Sequence, residues 1–276
     1  AASVISMGPV TLTVLDLPRV LAFYRERIGL RVHAEDGASA RLGAGGADLL
    51  ILRGRKDARR TVGTTGLFHL AILLPSRADL AGALLRLAET RTPLHGAADH
   101  RVSESLYLAD PEGNGIELYR DRPRESWTWA DGLVGMATDP LDLDTLLSQG
   151  EADATPWTGL PAGTAIGHVH LRVAEIASAE RFYCDVIGFD LTARYGDGAS
   201  FVAAERYHHH VAFNTWSGVG APPPPPGAAG LEEFVVRVGG ADAVERVLTR
   251  ARAAGVPFGA RNVLRDPSGN AVRLAS

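Results

Sequence analysis

The chain repeats its own plan, and that repetition narrows the available folds more than any other feature of the sequence. Residues 14–32 read VLDLPRVLAFYRERIGLRV and residues 173–191 read VAEIASAERFYCDVIGFDL, so Val14, Phe23, Tyr24, Ile28 and Gly29 recur 159 positions later. An alternating strand opens each copy, apolar residues at helical spacing follow, and Gly29 and Gly188 stand where a helix would stop. A second pair shares a different ending. Residues 110–118 read DPEGNGIEL and residues 266–274 read DPSGNAVRL. Asp, Pro, Gly and Asn there supply the fixed or positive φ of a tight turn entering a short strand. Upstream of each lies a strand and an amphipathic helix, at 67–74 then 77–90, and at 234–238 then 241–254.

Four units of strand, helix and three strands emerge, at about 7–56, 66–120, 165–217 and 230–275. The expected domains are an N-terminal one, residues 1–123, holding units one and two, and a C-terminal one, 164–276, holding units three and four. Residues 124–163 form the connection, with a short helix expected near 141–147. The five prolines Pro222 to Pro226 cannot join a sheet ladder and read as a stiff exposed spacer.

Composition excludes several classes of function. A chain of 276 residues, 46% hydrophobic and 22% charged, is long enough for packed cores. Its net charge of −4, with Lys and Arg dispersed among acids, argues against a nucleic-acid partner. No apolar run approaches the roughly 20 residues needed to cross a bilayer, so no membrane span is expected. Cys184 is the single cysteine, which rules out a disulfide framework. With no signal-peptide pattern at the start, a cytoplasmic location is expected.

The FYxxxIG helix and the DPxGNxxE turn-strand together resemble the vicinal oxygen chelate superfamily, which includes glyoxalase I, bleomycin-resistance proteins and extradiol ring-cleaving dioxygenases. The resemblance covers nearly the whole chain. It implies an α+β fold of four βαβββ modules arranged as two pseudo-symmetric half-barrel sheet pairs, with metal ligands on the first and last strands of a module.

Those ligand positions are unevenly filled. Five residues before the valine or leucine that closes each first strand stand Pro9, His69, His168 and Glu233 in units one to four. The carboxylate position after DPxGN is Glu117 in unit two and Arg273 in unit four. The candidates therefore concentrate in units two and three, and pairing two with three and one with four completes one site. Two neutral imidazoles and a carboxylate leave coordination positions open, which suits Fe(II) oxygen chemistry better than a closed structural zinc site. Mn(II), Ni(II) and Zn(II) are alternatives. His170, two residues beyond His168 on the same strand face, could replace it.

Further residues resemble the catechol 2,3-dioxygenase pattern: Tyr107, ten residues before Glu117, His100 upstream of it, and His209 just before the apolar run 211–213. At matching offsets unit four carries Val263 and Val256. The resemblance implies that His209 shuttles protons while Tyr107 and His100 hold substrate oxygens. Trp216 and Phe213 could line the pocket, although core packing is the plainer role for each. Strand alternation leaves open which of His208, His209 and His210 faces the metal; His210 inward would take a glyoxalase-like fourth-ligand position. The expected partners are a small aromatic diol and O2, and exposed sheet edges make a homodimer reasonable. The alternative activities are a glyoxalase-like metal-dependent lyase or isomerase, and a metal-free resistance protein that sequesters its ligand.

Overall fold

The computed structural model describes residues 5–152 and 156–276. Residues 1–4 of the first half and 153–155 of the connection lie outside the described residues.

In each unit the first strand lies parallel to the last strand of the same unit: Ile5–Val14 beside Asp48–Gly54, Gly66–Leu73 beside Gly115–Asp121, Ala165–Arg172 beside Val211–Asn214, and Gly230–Val238 beside Ala271–Ala275. First strands then pair antiparallel across units. Gly66–Leu73 joins Ala165–Arg172, and Ile5–Val14 joins Gly230–Val238. Units two and three thus share a nine-stranded sheet, and units one and four a seven-stranded one. Each sheet draws on both halves of the chain, as the uneven ligand pattern requires.

Alternation along the strands decides which face is which. On the paired strands of the nine-stranded sheet, Leu70, Ile72, Ile116, Leu118, Val169 and Leu171 are almost wholly buried in the main apolar core. Burying each such side chain contributes about 1.5–3 kcal/mol relative to leaving it exposed. The intervening residues, His69, Glu117, His168 and His170, point to the other face.

The two recurrent sequence motifs bond to each other. Tyr24 Oη donates to Asp110 Oδ2 at 3.3 Å, and Tyr183 Oη donates to Asp266 Oδ2 at 3.1 Å. The same aspartates shape their turns, accepting from the backbone N–H groups of Glu112 and Asn114, and of Ser268 and Asn270. Burial pushes both phenols well above their ordinary range and raises both carboxyls. The helices that carry these tyrosines are not α-helical throughout. Residues Tyr24–Ile28 and Arg181–Ile187 form π turns, closed by Gly29 and Gly188 at φ 90° and 98°. The widened turn falls at the residue whose ring must reach the neighbouring aspartate.

The fourth unit is the most reduced. After helix Ala241–Ala253 it has only Val263–Arg265 and Ala271–Ala275, its remaining strand shrunk to a bridge between Phe258 and Leu264. Pro257 and the positive φ of Asn262, 55°, interrupt the extended chain there. The connection is structured as well. Asp139–Pro140 extends the nine-stranded sheet beside Gly96–Asp99, and helix Leu143–Ala152, longer than expected, packs on helix Arg77–Glu89.

Candidate metal centre

Register builds the site. Tyr107 pairs with Glu117, Glu117 with Ala71 and Ala71 with His168, giving one row across four adjacent strands. His69 and His170 stand opposite each other in the next row. Small residues make the room: Ala71 lies in the centre of the first row, and Gly115 pairs with His69 in the second. A Cβ on Gly115 would stand 2.1 Å from the carbonyl oxygen of Phe68, so a side chain cannot be accommodated there. A bulge between Ile166 and His168 shifts the strand at Gly167, and an equivalent irregularity lies between Met7 and Val10 in unit one.

His69, Glu117 and His168 converge, all three buried. Nε2 of His69 lies 2.9 Å from Glu117 Oε2, Nε2 of His168 lies 3.0 Å from the same oxygen, and the two nitrogens are 3.4 Å apart. Donors about 2.1 Å from one cation stand about 3.0 Å apart at right angles and about 3.4 Å apart at tetrahedral angles. The separations therefore fit three donors to one divalent cation, and the donor set suits one. Desolvation alone would raise the Glu117 carboxyl, but attraction to His168 and hydrogen bonds from both imidazoles hold it well below the usual carboxylate range. Burial pushes His168 down to about 4 against the pull of Glu117. A carboxylate and a neutral imidazole at neutral pH are the forms that ligate a metal. Nδ1 of His168 is buried without a hydrogen-bond partner. Its ring is held instead by packing, with Tyr119 at 4.9 Å and His209 at 4.0 Å between ring centroids.

His170 does not join the three. Asn214 Nδ2 donates to its Nε2 at 2.9 Å, and its ring packs against Phe68 and Trp216. His210 also stays apart: the backbone N–H of Ala204 donates to its Nδ1 at 3.3 Å, its ring stacks on Phe189, and burial pushes it down to about 3. Strand alternation left His210 open as a possible fourth ligand; it is not among the three converging side chains. His209 is the member of the triple histidine that reaches the centre, its ring against that of His168. Burial pushes it well below its ordinary range.

Tyr107 and His100 are bonded to each other at 2.6 Å, and His100 Nδ1 lies 2.7 Å from the carbonyl oxygen of Ala137. A carbonyl only accepts, so Nδ1 carries the proton of a neutral ring and Nε2 accepts from the Tyr107 hydroxyl. Burial, then the charge of Glu117, pushes the Tyr107 phenol well above its ordinary range, so it stays protonated. Phe213 is wholly buried, stacked on Tyr183, and belongs to the core. Trp216 is 55% exposed and covers Phe68 and His170 at the side of the centre.

Sequence reasoning missed Asp121, Tyr119 and Tyr207. Tyr207 Oη donates to Asp121 Oδ1 at 3.2 Å and lies 2.7 Å from Tyr119 Oη, while His208 Nε2 lies 2.8 Å from the same Asp121 oxygen. Nothing in the local sequence joins residues 86 to 88 positions apart.

Two curled sheets, each built from a pair of strand-helix-strand units, with a buried cluster of two imidazoles and a carboxylate on one of them, define a fold of paired βαβββ modules with a candidate metal site. The chain belongs to the glyoxalase/bleomycin resistance protein/dioxygenase superfamily, which it matches over residues 6–118 and 165–274. It is 43% identical over 256 residues to a Bacillus subtilis protein named catechol-2,3-dioxygenase, covering 90% of this chain and 88% of that one. It is 34% identical over 93 residues to biphenyl-2,3-diol 1,2-dioxygenase 3 of Rhodococcus globerulus, covering 30% and 49% of the two chains. The solved structure of glyoxalase I from Zea mays shares the fold, with a TM-score of 0.57 at 17% identity over 98% of this chain and 92% of that one.

Proposed function

We propose that this protein is an extradiol dioxygenase that opens a catechol-type ring with O2, using Fe(II) held by His69, Glu117 and His168. The convergence of those three side chains, with His210 bonded instead to the backbone of Ala204, carries the reading. The likeness to the Bacillus subtilis catechol-2,3-dioxygenase over most of both chains supports the same reaction class. Fe(II), when bound, supplies open positions for the two vicinal oxygens and for O2, and the redox link between them.

The chain's own residues orient the substrate and manage its protons. The Tyr107 hydroxyl donates a hydrogen bond to His100 and so presents oxygen lone pairs to a substrate hydroxyl. His100 holds Tyr107 in that orientation through its own bond to Ala137. His209, kept neutral by burial, takes a proton from the diol and returns it as the ring opens. Trp216 and Phe68 offer aromatic surface beside the centre. Both atoms of O2 enter the product, a hydroxymuconic semialdehyde for catechol itself, so no further reductant is needed.

The test is anaerobic loading with Fe(II), followed by catechol in air, with visible absorbance recorded for the yellow ring-fission product. The expected trace rises and is abolished by prior chelation. A flat trace from protein carrying one iron per chain overturns the reading for catechol. Activity on a thiol adduct with a redox-inert metal would favour the glyoxalase-like alternative.

A further inference from the structure

We propose that Asp121 and His208 are positioning residues that fix the tautomer of His209, keeping a proton on its Nδ1 and leaving its Nε2 bare. The inference rests on the acid–base role proposed above for His209 and concerns a pair of residues that touch no substrate.

The bonding follows from donor and acceptor arithmetic. An ionised carboxylate only accepts. Asp121 Oδ1 lies 2.8 Å from His208 Nε2 and 3.2 Å from the Tyr207 hydroxyl, so both of those groups donate to it. In a neutral His208 the proton is thereby assigned to Nε2, and Nδ1 has a lone pair only. Nδ1 of His208 lies 2.7 Å from Nδ1 of His209. Two bare nitrogens at that distance would repel, so His209 Nδ1 must carry the proton and donate it. A neutral His209 then has no proton on Nε2, the form a general base requires.

The surroundings hold this chain in place. His208 is wholly buried between Tyr207 and Trp127, with ring centroids at 4.1 and 5.2 Å. Trp127 is fixed in turn by its indole N–H, which donates to the carbonyl oxygen of Arg122 at 3.1 Å. The Tyr207 hydroxyl donates to Asp121, so its oxygen accepts from Tyr119, whose ring packs on His168. Asp121 thus reaches the centre along two arms, through His208 to His209 and through Tyr207 and Tyr119 to the face of His168. Groups at this remove from a metal centre typically change activity 10- to 100-fold when lost, by letting the inner residues turn.

The experiment has two readouts. Histidine side chains are labelled with 15N, and long-range 15N–1H correlation spectra are recorded on chelated and on Zn(II)-loaded protein, with His209→Gln assigning the resonances. Expected is a protonated Nδ1 and a bare Nε2 at His209. That signature should be lost or averaged in Asp121→Leu, and restored in Asp121→Asn, whose amide oxygen can still accept from His208. In parallel, Asp121→Leu and His208→Leu should lower kcat for ring cleavage by roughly tenfold or more with KM little changed, while Asp121→Asn keeps most of the activity. A proton on His209 Nε2 in the native protein, or an unchanged signature and kcat in Asp121→Leu, overturns the proposal. Where Asp121→Leu fails to fold, the native spectrum and the Asp121→Asn variant still decide. Absence of ring cleavage in the native enzyme would refute the dioxygenase reading, and the nitrogen signature would then judge the hydrogen-bond chain separately.

Discussion

The two sheets carry the same positions with opposite contents. In the nine-stranded sheet, Glu117 faces two imidazole nitrogens at 2.9 and 3.0 Å. In the seven-stranded sheet, the equivalent last-strand position is Arg273, and its guanidinium Nε donates to Glu233 Oε1 at 3.0 Å. Arg261 adds a second cation, 2.6 and 2.8 Å from the two Glu233 oxygens. Where one sheet has an acid facing two imidazoles, the other supplies a cation from its own side chains. Pro9 replaces the histidine on the facing strand, and Val263 and Val256 replace Tyr107 and His100. The buried acid of the seven-stranded sheet is thus satisfied by an internal ion pair, without the donor set that could hold a metal in the other copy.

The largest test of that contrast is Glu117→Ala. Removing the carboxylate leaves two imidazoles without the anion that faces both, and the variant is expected to retain no metal through gel filtration with a mild chelator and to show no ring cleavage. Metal per chain, measured by elemental analysis, checks this. Retention equal to the native protein would mean that the centre lies elsewhere.

Next in size is Tyr107→Phe, which keeps the ring that lies 5.7 Å from that of His69 and removes the hydroxyl bonded to His100. A hydrogen bond between neutral partners is worth about 0.5–1.5 kcal/mol, so kcat should fall roughly 2- to 10-fold. Metal content should stay unchanged, as Tyr107 is not among the converging donors. A fall in metal content equal to that of Glu117→Ala would instead place Tyr107 in the ligand set.

Much of this contrast was legible in the sequence, and the limits have physical causes. The pairing of unit two with unit three follows from the scarcity of ligand residues at the first- and last-strand positions that the family resemblance marks out. The choice of His168 over His170 also came from counting, and Asn214, which occupies His170, lies on another strand. The triple histidine resisted, because alternation applies only inside a strand. Residues 208–210 precede the strand Val211–Asn214, and Glu205 and Arg206, at φ 57° and 55°, turn the chain just before them. The chain from Asp121 to His209 was invisible for a different reason: it joins units two and three through side chains alone. The missing strand of unit four was a matter of degree, since Pro257 and Asn262 were present in the sequence but an isolated bridge still forms.

The two sheets also differ in what lies over their bulge glycines. Gly167 and Gly8 are equivalent positions, 159 residues apart. A Cβ at Gly167 would stand 1.7 Å from Tyr119 Oη, and one at Gly8 would stand 2.7 Å from Val235 Cβ. Overpacking of this kind costs about 1–3 kcal/mol, so both alanine variants should unfold at lower denaturant concentration. Gly167→Ala should also lose activity several-fold, because Tyr119 packs on His168, whereas Gly8→Ala should keep native turnover per folded molecule. Equal activity losses would show that the two sheets communicate through the core rather than acting separately.

The smallest effect is expected at Arg273→Ala, and it bears most directly on why the second copy persists. Glu233 is buried and would lose one of its two guanidinium partners, keeping Arg261. Removing one partner of a buried ion pair costs about 3–5 kcal/mol when nothing replaces it. Arg261 remains, and the Arg273 side chain is itself partly exposed, so a loss of about 1–2 kcal/mol is expected. Urea unfolding followed by far-ultraviolet circular dichroism measures it, with metal content and kcat predicted to match the native protein. If Arg273→Ala instead lowered metal content as Glu117→Ala does, the seven-stranded sheet would hold a ligand after all. If it changed neither stability nor metal, Arg261 alone would suffice as the internal cation, and the ion pair would be a two-partner arrangement with one partner redundant.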